Sequence, residues 1–86
     1  MARYRIEVSA TAERQLRKAP RRDQIRIVRA IQRLADEPRP GGCRKLAGHD
    51  DVFRIRVGTY RVIYEVFRRE VLVLVLKVGH RRDVYR

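Results

Sequence analysis

Three arginines, at positions 54, 56 and 61, bracket a Gly58-Thr59 pair, and a tail that runs Val78-Gly79-His80-Arg81-Arg82-Asp83-Val84-Tyr85-Arg86 closes the chain. If Gly58-Thr59 forms a two-residue type II′ turn, residue 57 faces 60, 56 faces 61, 55 faces 62 and 53 faces 64. Val57/Tyr60, Ile55/Val62 and Phe53/Tyr64 then make core pairs, while Arg56 stands opposite Arg61 on the other face with Arg54 beside them. Like charges opposed across strands destabilise a sheet. An anion seated between two guanidinium groups offsets that repulsion through charge-assisted hydrogen bonds, so the trio reads as a phosphate site. In the tail, His80 is a candidate proton-transfer group, Arg81 can hold a phosphate, and Tyr85 can stack on a base or pass a proton. Cutting RNA without a metal needs a base for the ribose 2′-hydroxyl, cations for the phosphorane charge and an acid for the leaving oxygen. The sequence holds candidates for all three.

The wider composition agrees with a polyanion as partner. The chain has 86 residues with 22 Lys+Arg against 10 Asp+Glu, a formal charge of +12, and all but three of the cations are Arg. Residues 1–43 and 44–86 carry equal shares of it, so the charge belongs to a folded body and not to a tail. Arg favours planar, bidentate phosphate contacts over simple point charges. The length fits one domain, 1–86, with no room for a deep active site. A lone Cys43 excludes an internal disulfide, and Cys43 with His49 and His80 is no metal set, so neither metal nor cofactor is expected. The longest apolar run, Val71 to Leu76, is too short to cross a membrane, and residues 1–8 lack a signal-peptide core, which makes a cytoplasmic protein the simplest reading.

The elements that must position these groups follow from periodicity. Tyr4, Ile6 and Val8 alternate with polar neighbours as a strand does. Ser9 is a plausible N-cap for a short helix that ends at Pro20, and Pro20 opens a second helix with Ile27, Val28, Ile31, Leu34 and Ala35 as its apolar face. Pro38 to Gly42 is a loop. Phe53 to Val57 and Tyr60 to Val66 alternate as a hairpin, and residues 70–77 form a last strand whose unbroken apolar run implies burial on both faces and a central place. The expected fold is α+β, β-α-α-β-β-β, with a helix hairpin on one face of a small, mostly antiparallel four-stranded sheet. Ile63, Phe67, Leu72, Leu74 and Leu76 fall on the face away from the helices, which suits an apolar partner segment. Arg22, Arg26, Arg29 and Arg33 line one side of helix 2, a solvated face with a secondary use as contacts to structured RNA.

On three segments the chain resembles the RelE-type toxins of the RelE/ParE toxin–antitoxin superfamily. They are Lys45-Leu46-Ala47-Gly48, Phe53 through Tyr64, and Val78 through Tyr85, and the likeness runs from Tyr4 to Tyr85. The resemblance implies a RelE-like fold and a ribosome-dependent, metal-independent endoribonuclease. Such an enzyme cuts mRNA in the ribosomal A site by 2′-hydroxyl attack and is neutralised by a cognate, usually acidic, antitoxin. It implies that Arg61 and Arg81 stabilise the scissile phosphate and that Tyr85 stacks on a codon base. Lys45, Arg54 and Arg82, with Arg22, Arg26 and Arg29, are the expected RNA contacts. The best-known members carry Lys at positions 54 and 56, one of them credited as the base. Arg is a poor base, so either Arg56 acts electrostatically or His80 moves the proton. The alternatives are a ParE-like toxin that inhibits DNA gyrase and a non-catalytic RNA-binding module.

Overall fold

A computed structural model of the chain describes residues 3–80. The elements, in order, are β1 (Arg5–Val8), α1 (Ala10–Lys18), α2 (Arg21–Arg33), β2 (Arg44–Lys45), β3 (Val52–Val57), β4 (Tyr60–Phe67) and β5 (Leu72–His80). The sheet has five strands in the order β1-β5-β4-β3-β2, with β1 parallel to β5 and the rest antiparallel. The α+β architecture is as expected. The fifth strand, β2, is new: two residues are too few for any periodicity to show in a sequence.

The helix hairpin forms for local reasons. Ser9 caps α1, its hydroxyl oxygen accepting from the Ala12 N–H at 3.0 Å, and the same hydroxyl donates to the Leu76 carbonyl at 2.9 Å. Pro20, with a φ of −56°, is the N-cap of α2 and already has a helix-like φ. Between the helices, Gln24 Nε2 donates to the Ala19 and Arg17 carbonyls, which would otherwise end α1 unsatisfied. Ile27, Ile31 and Leu34 turn one stripe of α2 onto Phe53, Ile55, Val62, Tyr64, Val66, Val73, Val75 and Val78. Each fully buried aliphatic side chain here is worth roughly 1.5–3 kcal/mol. Val28, expected on that stripe, is 38% exposed beside Ile25, because it lies a third of a turn round from Ile27.

The hairpin register is the expected one: Val57 pairs Tyr60, Arg56 pairs Arg61, Ile55 pairs Val62, Arg54 pairs Ile63 and Phe53 pairs Tyr64. Gly58 has a φ of +62° while Thr59 stays negative, as a type II′ turn requires. The last strand departs from expectation in two ways. First, although β5 takes the expected interior place between β1 and β4, only one of its faces is fully buried, with Val73 and Val75 at 0% exposure and Leu72, Leu74 and Leu76 half-buried. The helices cover only one side, so an all-apolar run is not buried on both. Second, β5 bulges: Ile63 pairs Lys77 but Tyr64 pairs Val75, leaving Leu76 as an extra residue. Side chains beyond it are thrown to the opposite faces from those that strict alternation would assign.

Tyr64 is fully buried, stacks on Phe53 at 5.9 Å and donates its hydroxyl proton to the Pro38 carbonyl at 2.7 Å, pinning the loop after α2. Burial pushes its pKa above the ordinary tyrosine range, and the neighbouring Cys43 adds to this. Because the folded state favours the neutral phenol, this contribution to stability is complete below about pH 10 and is lost as the pH climbs further. Tyr64→Phe therefore costs about 1 kcal/mol at neutral pH, and urea titrations will show a shallower loss of stability above about pH 10 than in the parent. Gly58→Ala meets only the movable tip of Arg26, 3.2 Å from the new Cβ, so its cost is conformational. At about 1–2 kcal/mol, it lowers the midpoint of thermal unfolding by several degrees.

Candidate phosphate-binding site

The face of the sheet away from the helices carries the arginines. Arg56 and Arg61 are a directly opposed pair on β3 and β4, and Arg54 lies two residues along β3 from Arg56. Gly79 of β5 is the next residue in the Arg56–Arg61 row and adds no side chain to it. Arg61 is the one buried charged residue among those described, at 8% exposure, whereas Arg54 is half-buried and Arg56 exposed. A guanidinium stays protonated in any protein environment. Arg61 is thus a fixed positive charge set into a low-dielectric floor, where an anion above it is attracted more strongly than over a solvated side chain.

A fourth arginine joins them. The short β2 pairs with β3 so that Arg44 stands opposite Arg54 and Lys45 opposite Phe53. Arg44, Arg54, Arg56 and Arg61, with Gly42, line a cleft of about 230 Å³. Lys45, an expected RNA contact, does not line this cleft, whereas Arg44, which no sequence signal marks, does. Lys45 faces the other way, with its ammonium 3.7 Å from the Asp50 carboxylate. A one-residue step along a strand changes the face, and only the β2–β3 register decides which of two adjacent cations reaches the cleft.

The remaining candidates divide clearly. His80 pairs with Tyr60, and its ring meets that of Tyr60 edge-on at 5.7 Å. It therefore lies on the helix face, where it lines a separate cleft of about 220 Å³ with Gln15, Lys18, Ala19, Tyr60, Val78 and Gly79. The bulge at Leu76 is the cause: with strict alternation from Leu72, Leu74 and Leu76, His80 would share the face of the arginines. As a proton-transfer group for an anion in the arginine cleft, His80 is on the wrong side of the sheet. Arg81, Arg82 and Tyr85 lie outside the described residues. Arg22, Arg26 and Arg29 are exposed on α2, and Arg26 reaches over the hairpin turn at Gly58. On the open face Ile63 is only 8% exposed, flanked across the strands by Arg54 and Lys77, while Phe67, Leu72, Leu74 and Leu76 are half-buried. Ile63 thus offers a partner little surface. Among the described residues no three His, Cys, Asp or Glu side chains come together as a metal set, and no helix is long and apolar enough to cross a membrane.

Comparison with known proteins is consistent across sequence and structure. The family model described as the ParE toxin of the type II toxin–antitoxin system, parDE, matches residues 6–85. Toxin RelG of Mycobacterium tuberculosis is 38% identical over 87 residues, which covers 96% of this chain and 97% of that protein. Among solved structures, the archaeal RelE–RelB complex of Pyrococcus horikoshii superposes with a TM-score of 0.83 at 29% identity, covering 98% of this chain and all of that one. The RelBE2 toxin–antitoxin complex of Mycobacterium tuberculosis gives 0.82 at 33% identity, covering 96% and 97%.

The opposed Arg56–Arg61 pair makes a direct prediction. Arg56→Thr relieves like-charge repulsion worth about 0.5 kcal/mol, so the variant is slightly more stable than the parent at low ionic strength, and the difference fades as salt screens it. Added inorganic phosphate raises the thermal midpoint of the parent more than that of the variant. Equal stabilisation of both by phosphate would show that the pair does not hold the anion.

Proposed function

The chain belongs to the ParE toxin family of type II toxin–antitoxin systems, as a toxin of RelE type, and we propose that it is a metal-independent endoribonuclease that cuts mRNA in the ribosomal A site. The observation that carries this reading is the buried Arg61 facing Arg56 on an otherwise open sheet face, with Arg54 and Arg44 beside them. In the proposed reaction the ribose 2′-hydroxyl gives up its proton as it attacks the adjacent phosphorus, the P–O5′ bond breaks, the departing 5′-oxygen takes up a proton, and a 2′,3′-cyclic phosphate remains. Negative charge grows on the non-bridging oxygens as the phosphorane forms. Fixed guanidinium groups aimed at that charge stabilise the transition state without reorganising, which is the largest contribution such a shallow site can make. Arg81 and Tyr85, which follow directly on β5 in the chain, complete the proposed set as a further phosphate ligand and a stacking group.

The geometry favours electrostatic work for Arg56 over proton abstraction by His80. Arg56 stays charged and lies in the cleft; His80 lies across the sheet. A cleft this open aligns a flexible strand poorly, so the ribosome supplies the orientation that brings the 2′-hydroxyl in line with the leaving oxygen. The solved relatives are a RelE–RelB complex and the RelBE2 toxin–antitoxin complex. By the same likeness an acidic antitoxin binds this toxin, its apolar side chains over Phe67, Leu72, Leu74 and Leu76 and its carboxylates near the arginines.

A second reading has one observation in its favour, the parDE description of the matching family: a toxin that inhibits DNA gyrase and cuts nothing. Primer extension on mRNA bound to programmed ribosomes separates the two. The nuclease gives cuts in phase with the A-site codon; Arg61→Ala lowers the single-turnover rate about a hundredfold or more, and His80→Ala leaves the pH–rate profile unchanged. Intact transcripts together with lost supercoiling activity would establish the gyrase reading instead.

A further inference from the structure

We infer that the arginine cleft holds two successive phosphates of one RNA strand, and that Arg44 is the residue that makes the second position. The inference rests on the nuclease reading above and adds a substrate subsite to it.

The open face is laid out in rows across the strands. One row is Arg56, Arg61 and Gly79; the next is Arg44, Arg54, Ile63 and Lys77. Each row begins with a directly opposed arginine pair, Arg56–Arg61 in one and Arg44–Arg54 in the other. The pairs are joined through β3, where Arg54 and Arg56 are two residues apart, a separation of roughly 6.6 Å along an extended strand. That matches the step between neighbouring phosphates of an extended single strand. One phosphate needs one pair. A second opposed pair at this interval offers a second phosphate charge-assisted contacts of its own.

The second pair also lies in the right direction. It is displaced from the buried Arg61 toward β2, the edge of the sheet, where Arg44 is exposed and a strand longer than one nucleotide can continue into solvent. Lys45, the neighbouring cation, is turned to the other face beside Asp50, so the β2–β3 register selects Arg44 alone from this pair for the cleft. Arg44 touches no reacting atom in this scheme. It is a positioning residue that fixes where along the strand the scissile phosphate falls over Arg61.

The test uses the whole chain and a six-nucleotide oligoribonucleotide with 2′-deoxyribose at the cutting position, so that binding is read whether or not the strand is cut. In fluorescence anisotropy, Arg44→Gln weakens binding about fivefold and lowers the slope of log K against log salt by about 0.7, the share of one phosphate contact on a single strand. Arg44→Lys restores the slope. Replacing one of the two phosphates next to the scissile position with a neutral methylphosphonate weakens binding to the parent by a similar factor, and Arg44→Gln loses nothing further on that ligand. The inference is overturned if Arg44→Gln binds as the parent does, if the two losses simply multiply, or if the parent fails to bind the strand at low salt. It is also overturned if an oligoglutamate peptide of equal charge binds as tightly with the same dependence on Arg44. Ribosome-dependent cleavage by the parent is measured separately: intact mRNA there sinks the nuclease reading even where the oligonucleotide shows the two-phosphate pattern, and cleavage with an Arg44-independent strand affinity sinks only the subsite.

Discussion

A two-residue turn leaves the strands on either side of it no freedom of register. Gly58 takes the positive φ that the turn demands, Val57 is set against Tyr60, and every later pair in β3 and β4 follows from that one. Because side chains alternate between faces, the same constraint sorts the chemistry: Phe53, Ile55, Val62 and Tyr64 go under the helices, and Arg54, Arg56 and Arg61 go to the open side. A slip by one residue would bury the arginines and expose the core. The cost of that exchange, roughly 1.5–3 kcal/mol for each aliphatic side chain and more for each buried charge, is what holds mutually repelling cations together.

The sheet is therefore asymmetric by construction. One face is closed by α1 and α2 and supplies nearly all the apolar burial; the other carries a concentrated positive charge over half-buried leucines. The two faces do different physical work and need little from each other. Stability is lodged in the packing of Ile27, Ile31 and Leu34 against the sheet, so the arginine face can concentrate positive charge without carrying the core. The solved relatives share this fold while agreeing with the chain at only about a third of positions, as expected if the scaffold tolerates wide change on its outer surface.

Alternation was legible wherever polar and apolar residues actually alternate. The β3–β4 hairpin could be read residue by residue, including the Arg56–Arg61 pair, and Ser9 and Pro20 marked the helix starts by side-chain chemistry that acts locally. Three things could not be read. The two residues of β2 are shorter than any period, so nothing in the sequence says that Arg44 and not Lys45 reaches the cleft. Val71 to Leu76 is apolar throughout, so it carries no phase information, and nothing in its composition signals an extra residue at Leu76. Val28 borders the apolar stripe of α2 closely enough that periodicity alone places it inside. Each failure is one of long-range pairing or of phase, and each was settled by a partner strand or helix distant in the chain.

The irregularity in β5 bears on how a protein of this architecture can change over generations. Ser9 bonds the Leu76 carbonyl and Gln15 accepts from the Val78 N–H, so the odd residue is accommodated while Val73, Val75 and Val78 all stay packed. Deleting the codon for Leu76 would let Lys77 follow Val75 directly, so the ladder would become regular while Lys77 and Gly79 kept the arginine face and Val78 and His80 the helix face. The extra residue is thus a change in length that a lineage could gain or lose while both faces of the strand, and the residues buried on them, stay as they were.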